Sequence, residues 1–136
     1  MFETKADVRY LDCDSMGVVH HSVYAVWYEI ARIDFFEKCG YGYTYTHEHG
    51  VDPAVVELTM NYGMPVYFPD TVTIRTKVTM CEGKKLGLSY EVWKDGDPVP
   101  CATAKSFHIW VRNGKSCNIE EELPEMFAAY KRGMDR

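Results

Sequence analysis

The sequence predicts an α+β domain in which one long helix is wrapped by an antiparallel sheet. The stretch from 22 to 38 carries apolar residues around most of a helical circumference, as a buried helix does. The later stretches alternate apolar and polar residues with a period of two, the pattern of half-buried strands. Tight-turn sequences such as Glu82-Gly83, Asp95-Gly96 and Asn113-Gly114 join these stretches directly, so consecutive strands run antiparallel. A sheet with one apolar face needs a cover, and the long helix is the one element large enough to supply it.

Taken in order, Phe2, Thr4, Ala6, Val8 and Tyr10 alternate with Glu3, Lys5, Asp7 and Arg9, which predicts a strand with its charged face in water. If the chain stays extended, Tyr10, Asp12 and Asp14 fall in phase before Gly17 breaks it. Cys13 then turns to the side away from the two carboxylates. Ser22 is the expected N-cap of the helix. Val23, Val26, Trp27, Ile30, Ala31, Ile33 and Phe35 cover most of its surface, with Tyr28 and Phe36 as further core residues. Glu29, Arg32, Asp34, Glu37 and Lys38 are expected on the outer side. Lys38 suits the negative end of the dipole, and Gly40 suits a left-handed C′ position.

Residues 41–50 are loop or short helix, rich in tyrosine, and could flank a ligand entrance. His47, Glu48, His49 and Asp52 invite a metal, but no matching ligand set occurs elsewhere, so a solvated loop is expected and no metal is assigned. Four strands follow: Val56 to Tyr62, Val72 to Met80, Leu86 to Val92 and Ala102 to Val111, the last with Phe107, Ile109 and Val111 on one face. Asn113-Gly114 turns into a short strand reaching Ile119. Glu120, Glu121 and Glu122 sit at the positive end of a closing helix from Leu123 to Lys131. One helix on such a sheet leaves edges and apolar surface open, which predicts pairing with a second copy.

The chain of 136 residues suffices for one domain, 1–136, with a real core. With 46% hydrophobic and 26% charged residues, the composition is that of a soluble globular protein. No apolar run is long enough to span a bilayer, and the first residues lack a signal-peptide pattern. A net charge of −5 argues against nucleic acid as a partner. Five cysteines without close spacing suggest neither a disulfide framework nor a zinc site, and place the chain in the cytoplasm. Cys13 as a nucleophile is weighed and ranked below the carboxylates, since nothing marks it as activated.

The stretch Asp12-Cys13-Asp14-Ser15-Met16-Gly17-Val18-Val19-His20-His21-Ser22-Val23-Tyr24 resembles the signature of hotdog-fold acyl-CoA thioesterases of the 4-hydroxybenzoyl-CoA thioesterase group, YbgC-like branch. That pattern runs roughly D-x-D-x-x-G-x-V-Y-H-x-x-Y, then an aromatic and an acidic position matched by Trp27 or Tyr28 and by Glu29. The likeness continues through Pro65 to Val78 and the later strands. His20 departs from the usual aromatic residue, and Ser22-Val23 from the usual Ala or Pro followed by Asn or Ser. These departures bear on the acyl pocket and leave Asp14 and His21 in place.

The resemblance implies a hotdog fold and hydrolysis of an acyl thioester. Asp14 matches the catalytic carboxylate, with His21 and Tyr10 as its active-site partners. His20, Ser22 and Gly17 are expected against the substrate. Lys84 and Lys85 match a basic turn that grips the nucleotide. No cofactor is implied, coenzyme A being part of the substrate, and acyl carrier protein is an alternative carrier. Active sites at a dimer interface, and dimers paired into tetramers, also follow.

For this chemistry Asp14 can activate water or attack the carbonyl itself. Unpaired N–H groups at the helix start near His21 and Ser22 are natural oxyanion donors. A turn-bracing role is the plain alternative for Asp14, and Asp12 is expected to support the turn. Glu29 is a further carboxylate with a lesser role. A hydratase or dehydratase would need a different His and acid placement. The second function considered is a non-catalytic acyl-CoA or acyl-carrier-protein binding protein.

Overall fold

The computed structural model describes residues 1–135. Its elements are β1 (Phe2–Asp7), a 3₁₀ turn (Tyr10–Asp12), α1 (His21–Lys38), α2 (Tyr43–Glu48), β2 (Asp52–Tyr62), β3 (Thr71–Cys81), β4 (Lys85–Lys94), β5 (Ala102–Arg112), β6 (Lys115–Ser116), α3 (Ile119–Glu122) and α4 (Pro124–Arg132). The strands form one antiparallel sheet in the order β1-β3-β4-β5-β2, with β6 on the end of β5. This is not the plain meander that the turns suggested. Helix α1 crosses the sheet face, with one flank against Lys5 to Arg9 and the other against Asp52 and Pro53, so the chain re-enters the sheet at the far edge.

The core forms where the sheet faces α1. Val72, Ile74, Val78, Leu86, Leu88, Tyr90 and Val92 meet Tyr24, Trp27, Tyr28, Ala31 and Phe35, all buried. Helix α4 adds cover that the sequence reading did not assign: Met126, Phe127 and Tyr130 are buried, and Tyr130 stacks on Trp110 with centroids 5.8 Å apart. Gly40 takes the expected left-handed conformation, as do Asn113 and Gly114 in the β5–β6 turn.

Several expectations give way. Helix α1 is not enclosed on all sides: Val26, Ile30 and Ile33 stay 49%, 44% and 46% exposed. Phe107, Ile109 and Val111 do share a face of β5, but it is the outer one; the core face carries Ala102, Ala104, Ser106, His108 and Trp110. The strand expected to reach Ile119 stops at Ser116, because Asn118 caps α3 by accepting from the N–H groups of Glu120 and Glu121. Glu120, Glu121 and Glu122 therefore belong to α3, and the closing helix α4 starts after them at Pro124. His47 and His49 stack on Tyr43 and Tyr45. No helix among the described residues is long and apolar enough to cross a membrane.

Candidate active site

The loop between β1 and α1 is shaped by a clasp three residues wide. Asp12 is 2% exposed and accepts from the Arg9 backbone N–H (2.8 Å) and from Arg9 Nη2 (2.8 Å) and Nε (3.2 Å). Charge-assisted pairing at that spacing favours a turn over a strand. The chain therefore leaves β1 at Asp7 and winds through Tyr10–Asp12. The expected phasing of Tyr10, Asp12 and Asp14 fails here: Asp12 turns inward, while Tyr10 and Asp14 are exposed. Burial pushes the Asp12 carboxyl up, but the Arg9 hydrogen bonds and charge outweigh it and hold the group below its ordinary value. The supporting role expected of Asp12 is the one it has.

Asp14 opens a tight turn. Its N–H donates to Val18 O (2.9 Å), and its carbonyl accepts from Gly17 N–H (3.0 Å). Its Oδ1 accepts from Met16 N–H (2.8 Å) and Val18 N–H (3.3 Å). Gly17 sits at φ +79° with open space around it, a conformation that glycine adopts without the Cβ penalty. Val19 N–H donates to Val66 O (2.9 Å), pinning the turn to the segment before β3. One carboxylate oxygen thus braces the loop, and no hydrogen bond of the described residues uses Oδ2. The bracing role leaves the second oxygen of the same side chain open.

Tyr10, Cys13, Asp14, Ser15, Gly17 and Phe68 line a hollow of about 320 Å³. Cys13 shares it with Asp14 and does not turn away, because the 3₁₀ turn removes the strand alternation. Tyr10 meets Phe68 edge-on, with centroids 5.8 Å apart.

The adjacent helix start is capped differently from expectation. His20, not Ser22, is the N-cap: its Nδ1 accepts from Ser22 N–H (3.2 Å) and lies 2.7 Å from the Ser22 hydroxyl. An imidazole nitrogen two residues earlier reaches the first turn and displaces the shorter hydroxyl. His20 N–H donates to Asp12 O (2.9 Å), tying the cap to the loop. His21 begins the helix, its ring 4.1 Å from that of His20 and its carbonyl accepting from Tyr62 OH (3.2 Å). Ser22 N–H is taken by the cap. Among the described residues no group accepts from His21 N–H.

The loop and helix start thus bring Tyr10, Asp14 and Gly17 into one hollow, with His20, His21 and Ser22 beside it. Lys84 and Lys85 stand apart. Lys84 lies in the β3–β4 turn and Lys85 opens β4, while the Thr71 end of β3 is the end near the loop. Eleven residues of strand separate the two ends, roughly 35 Å at about 3.3 Å per residue. Sequence reasoning missed a buried polar chain, Arg32–Tyr90–Ser106–His108–Pro53, next to a second hollow of about 300 Å³. Its signal was Ser106 and His108 in phase with Ala102, Ala104 and Trp110, masked by the apolar Phe107, Ile109 and Val111 on the other face.

The family model for the Thioesterase-like superfamily matches residues 8–129. YneP of Bacillus subtilis (strain 168), provisionally named an acyl-CoA thioesterase, is 27% identical over 128 residues, covering 93% of this chain and 92% of that protein. The acyl-CoA thioester hydrolase YbgC of Escherichia coli O6:H1 is 29% identical over 86 residues, 63% of this chain and 64% of that one. The crystal structure of DHNA-CoA thioesterase from Staphylococcus aureus superposes with a TM-score of 0.89 at 26% identity, covering 96% of this chain and 88% of that one. The curved antiparallel sheet closed over a central helix is the fold of that solved structure, and the chain belongs to the thioesterase-like superfamily as a thioester hydrolase with the hotdog fold.

Proposed function

We propose that this chain hydrolyses acyl-CoA thioesters to the free acid and coenzyme A, with Asp14 as general base or nucleophile. The observation that carries the reading is the divided carboxylate: Oδ1 is fixed by two backbone N–H groups, and Oδ2 is left open on the rim of a hollow beside the start of α1. A carboxylate held in this way loses little freedom on reaching its transition-state position. His21 N–H, at the positive end of the α1 dipole, is the available oxyanion donor, and the His21 ring and Tyr10 orient the thioester carbonyl or the water. His20, Gly17 and Ser22 wall the entry of the acyl group. The thiolate leaves without a dedicated acid, and no cofactor takes part.

The active unit is a homodimer paired through β2. That strand is eleven residues long and, among the described residues, hydrogen-bonds only to β5, so its outer edge is open. Val55 and Val56 on it are 50% and 57% exposed. A twofold axis near Glu57, the middle of the strand, brings the Tyr62 end of one copy to the Asp52 end of the other. The same operation carries the Lys84–Lys85 turn of the second copy to the level of Asp14, where two cations suit the phosphates of coenzyme A. Further pairing of dimers would use the outer sheet face bearing Phe107 and Ile109. Cys13, Cys81, Cys101 and Cys117 are reduced thiols, which suits the cytoplasm.

The test is Asp14→Asn. Asn Oδ1 keeps both loop bonds, so melting stays near that of the parent chain, while thiol release from acyl-CoA, followed with a thiol-trapping dye, falls by about 10²–10⁴-fold. Parent-like turnover in this variant sinks the assignment. Ligand-induced stabilisation without thiol release, in the unmodified chain, would favour a binding protein instead.

A further inference from the structure

The chain departs from the thioesterase signature at His20 and at Ser22, and the structure puts the two departures in contact. His20 Nδ1 lies 2.7 Å from Ser22 Oγ and accepts from Ser22 N–H at 3.2 Å. A backbone N–H can only donate, so Nδ1 carries no proton and the N–H of the ring is Nε2. The Ser22 hydroxyl must therefore donate to Nδ1, and its contact is the shorter of the two. A cap needs only the backbone bond, which alanine at position 22 would keep, so the hydroxyl is surplus to the cap. A hydroxyl donating to an imidazole nitrogen at this distance is the pairing of a nucleophile with its base. Both residues are exposed, so an incoming ester can reach them.

The start of α1 supplies donors for the charge that such an attack creates. Val23 N–H is held by His20 O (3.0 Å), and His21 N–H has no acceptor among the described residues. Ser22 N–H is held by Nδ1. Both open positions lie at the positive end of an 18-residue helix. When the Ser22 proton moves to Nδ1, that nitrogen stops accepting and Ser22 N–H is released. Its release coincides with the appearance of an oxyanion on the carbon bound to Ser22 Oγ. The freed N–H and His21 N–H are then two donors for that oxygen. The backbone stays anchored meanwhile, since His20 N–H donates to Asp12 O (2.9 Å) and His21 O accepts from Tyr62 OH (3.2 Å).

We propose that Ser22 and His20 form a second catalytic pair, which hydrolyses oxygen esters of small acyl groups through an acyl-serine. The leaving group sets the substrate class. A thiolate departs unaided, but an alkoxide needs a proton, and Nδ1 holds the one it has just taken from Ser22. The Asp14 carboxylate has no such proton to give. In the first step Ser22 Oγ bonds the ester carbon while its proton passes to Nδ1. The bond from that carbon to the alkoxy oxygen then breaks, and the alcohol leaves with the proton. In the second step a water passes its proton to Nδ1 and attacks the acyl-serine. Oγ takes the proton back as the carboxylic acid departs. Water is the sole co-reactant, and nothing is oxidised or reduced. The pair draws no group from Asp14, so it stands apart from the thioesterase reading.

The experiment offers 4-nitrophenyl acetate to the unmodified chain and to Asp14→Asn, and reads nitrophenol release together with the mass of the peptide carrying Ser22. Both chains should release nitrophenol and, quenched early in acid, should carry an acetyl group on Ser22. A fluorophosphonate probe should label the same residue. Ser22→Ala keeps the bond from its N–H to Nδ1, so it should fold, lose both labels and release nitrophenol about 10²-fold more slowly or worse. His20→Asn keeps a cap through its amide oxygen but takes no proton. It should melt near the parent temperature and acylate Ser22 more slowly by a similar factor. An unlabelled Ser22 in the unmodified chain, parent-like release from Ser22→Ala, or parent-like acylation in His20→Asn overturns the inference. Thiol release from acyl-CoA is read separately. Its absence beside an acetylated Ser22 would overturn the thioesterase reading and leave this site standing, and thiol release with Ser22 unlabelled would do the reverse.

Discussion

In the proposed reaction Asp14 divides its two oxygens between architecture and chemistry, and variants can separate the two. Asp14→Asn keeps the acceptor for Met16 and Val18 N–H, whereas Asp14→Ala removes it. Alanine should therefore lose activity as asparagine does and in addition lose about 1–2 kcal/mol of stability, from two backbone donors left to water in an exposed turn. A thermal melt of the pair checks this, and equal melting of the two variants would contradict the bracing role. Asp12 acts one step further back. Asp12→Asn removes the charge from a buried clasp and should lower stability by about 1–3 kcal/mol while disordering the approach to Asp14. Denaturant unfolding would show it as a lower midpoint, with kcat reduced less than in the Asp14 variants.

At the scale of elements, the sequence made α1, the inward faces of β3 and β4, and the Asn113-Gly114 turn legible, because each obeys one period or one turn rule. It made the loop residues legible as a set through their register. It did not reveal that Arg9 and Asp12 would clasp, since Arg9 keeps the alternation of residues 2 to 10 and only its pairing with Asp12 decides. Nor did it reveal which face of β5 is the inner one: a strand with apolar residues on its outer face and Ser106 and His108 inside inverts the usual rule, and the reason lies in partners from α1, β2 and β4 that no local window contains. The buried His108 makes a pH prediction. Burial and the charge of Arg32 hold its folded pKa at about 4, below the ordinary 6.5, so the unfolded chain takes up a proton first as pH falls. Stability from this group is whole above about pH 6.5, is lost progressively down to about pH 4, and amounts to roughly 3 kcal/mol in all. His108→Gln keeps an acceptor for Ser106 and a donor for Pro53 but does not titrate. Its melting temperature should fall less than that of the parent between pH 6.5 and 4, and parallel curves would show that His108 is not the titrating group.

The whole molecule poses a problem that one copy does not solve. Its charged turn at Lys84 and Lys85, its Asp14 hollow and its Arg32 hollow lie at different ends of a single sheet, and an open β2 edge runs between them. The proposed twofold pairing through that edge would bring all three features to one level and so tie activity to association. Val56 offers a clean way to separate the two. The register of β2 on β5 steps from Val55 to Glu57, so Val56 occupies the bulge and has no Cα partner in β5. It is 57% exposed in the single copy, so a lysine there costs the protomer little. In the pair it would place two like charges near the twofold axis, in an edge that has lost its water. Val56→Lys should therefore keep the far-UV spectrum and most of the melting temperature, fall to the mass of one chain by light scattering, and lose thiol release in proportion to the monomer fraction. Monomers that retain parent-like turnover would show that a single copy holds the complete active site and that β2 pairing plays no part in the chemistry.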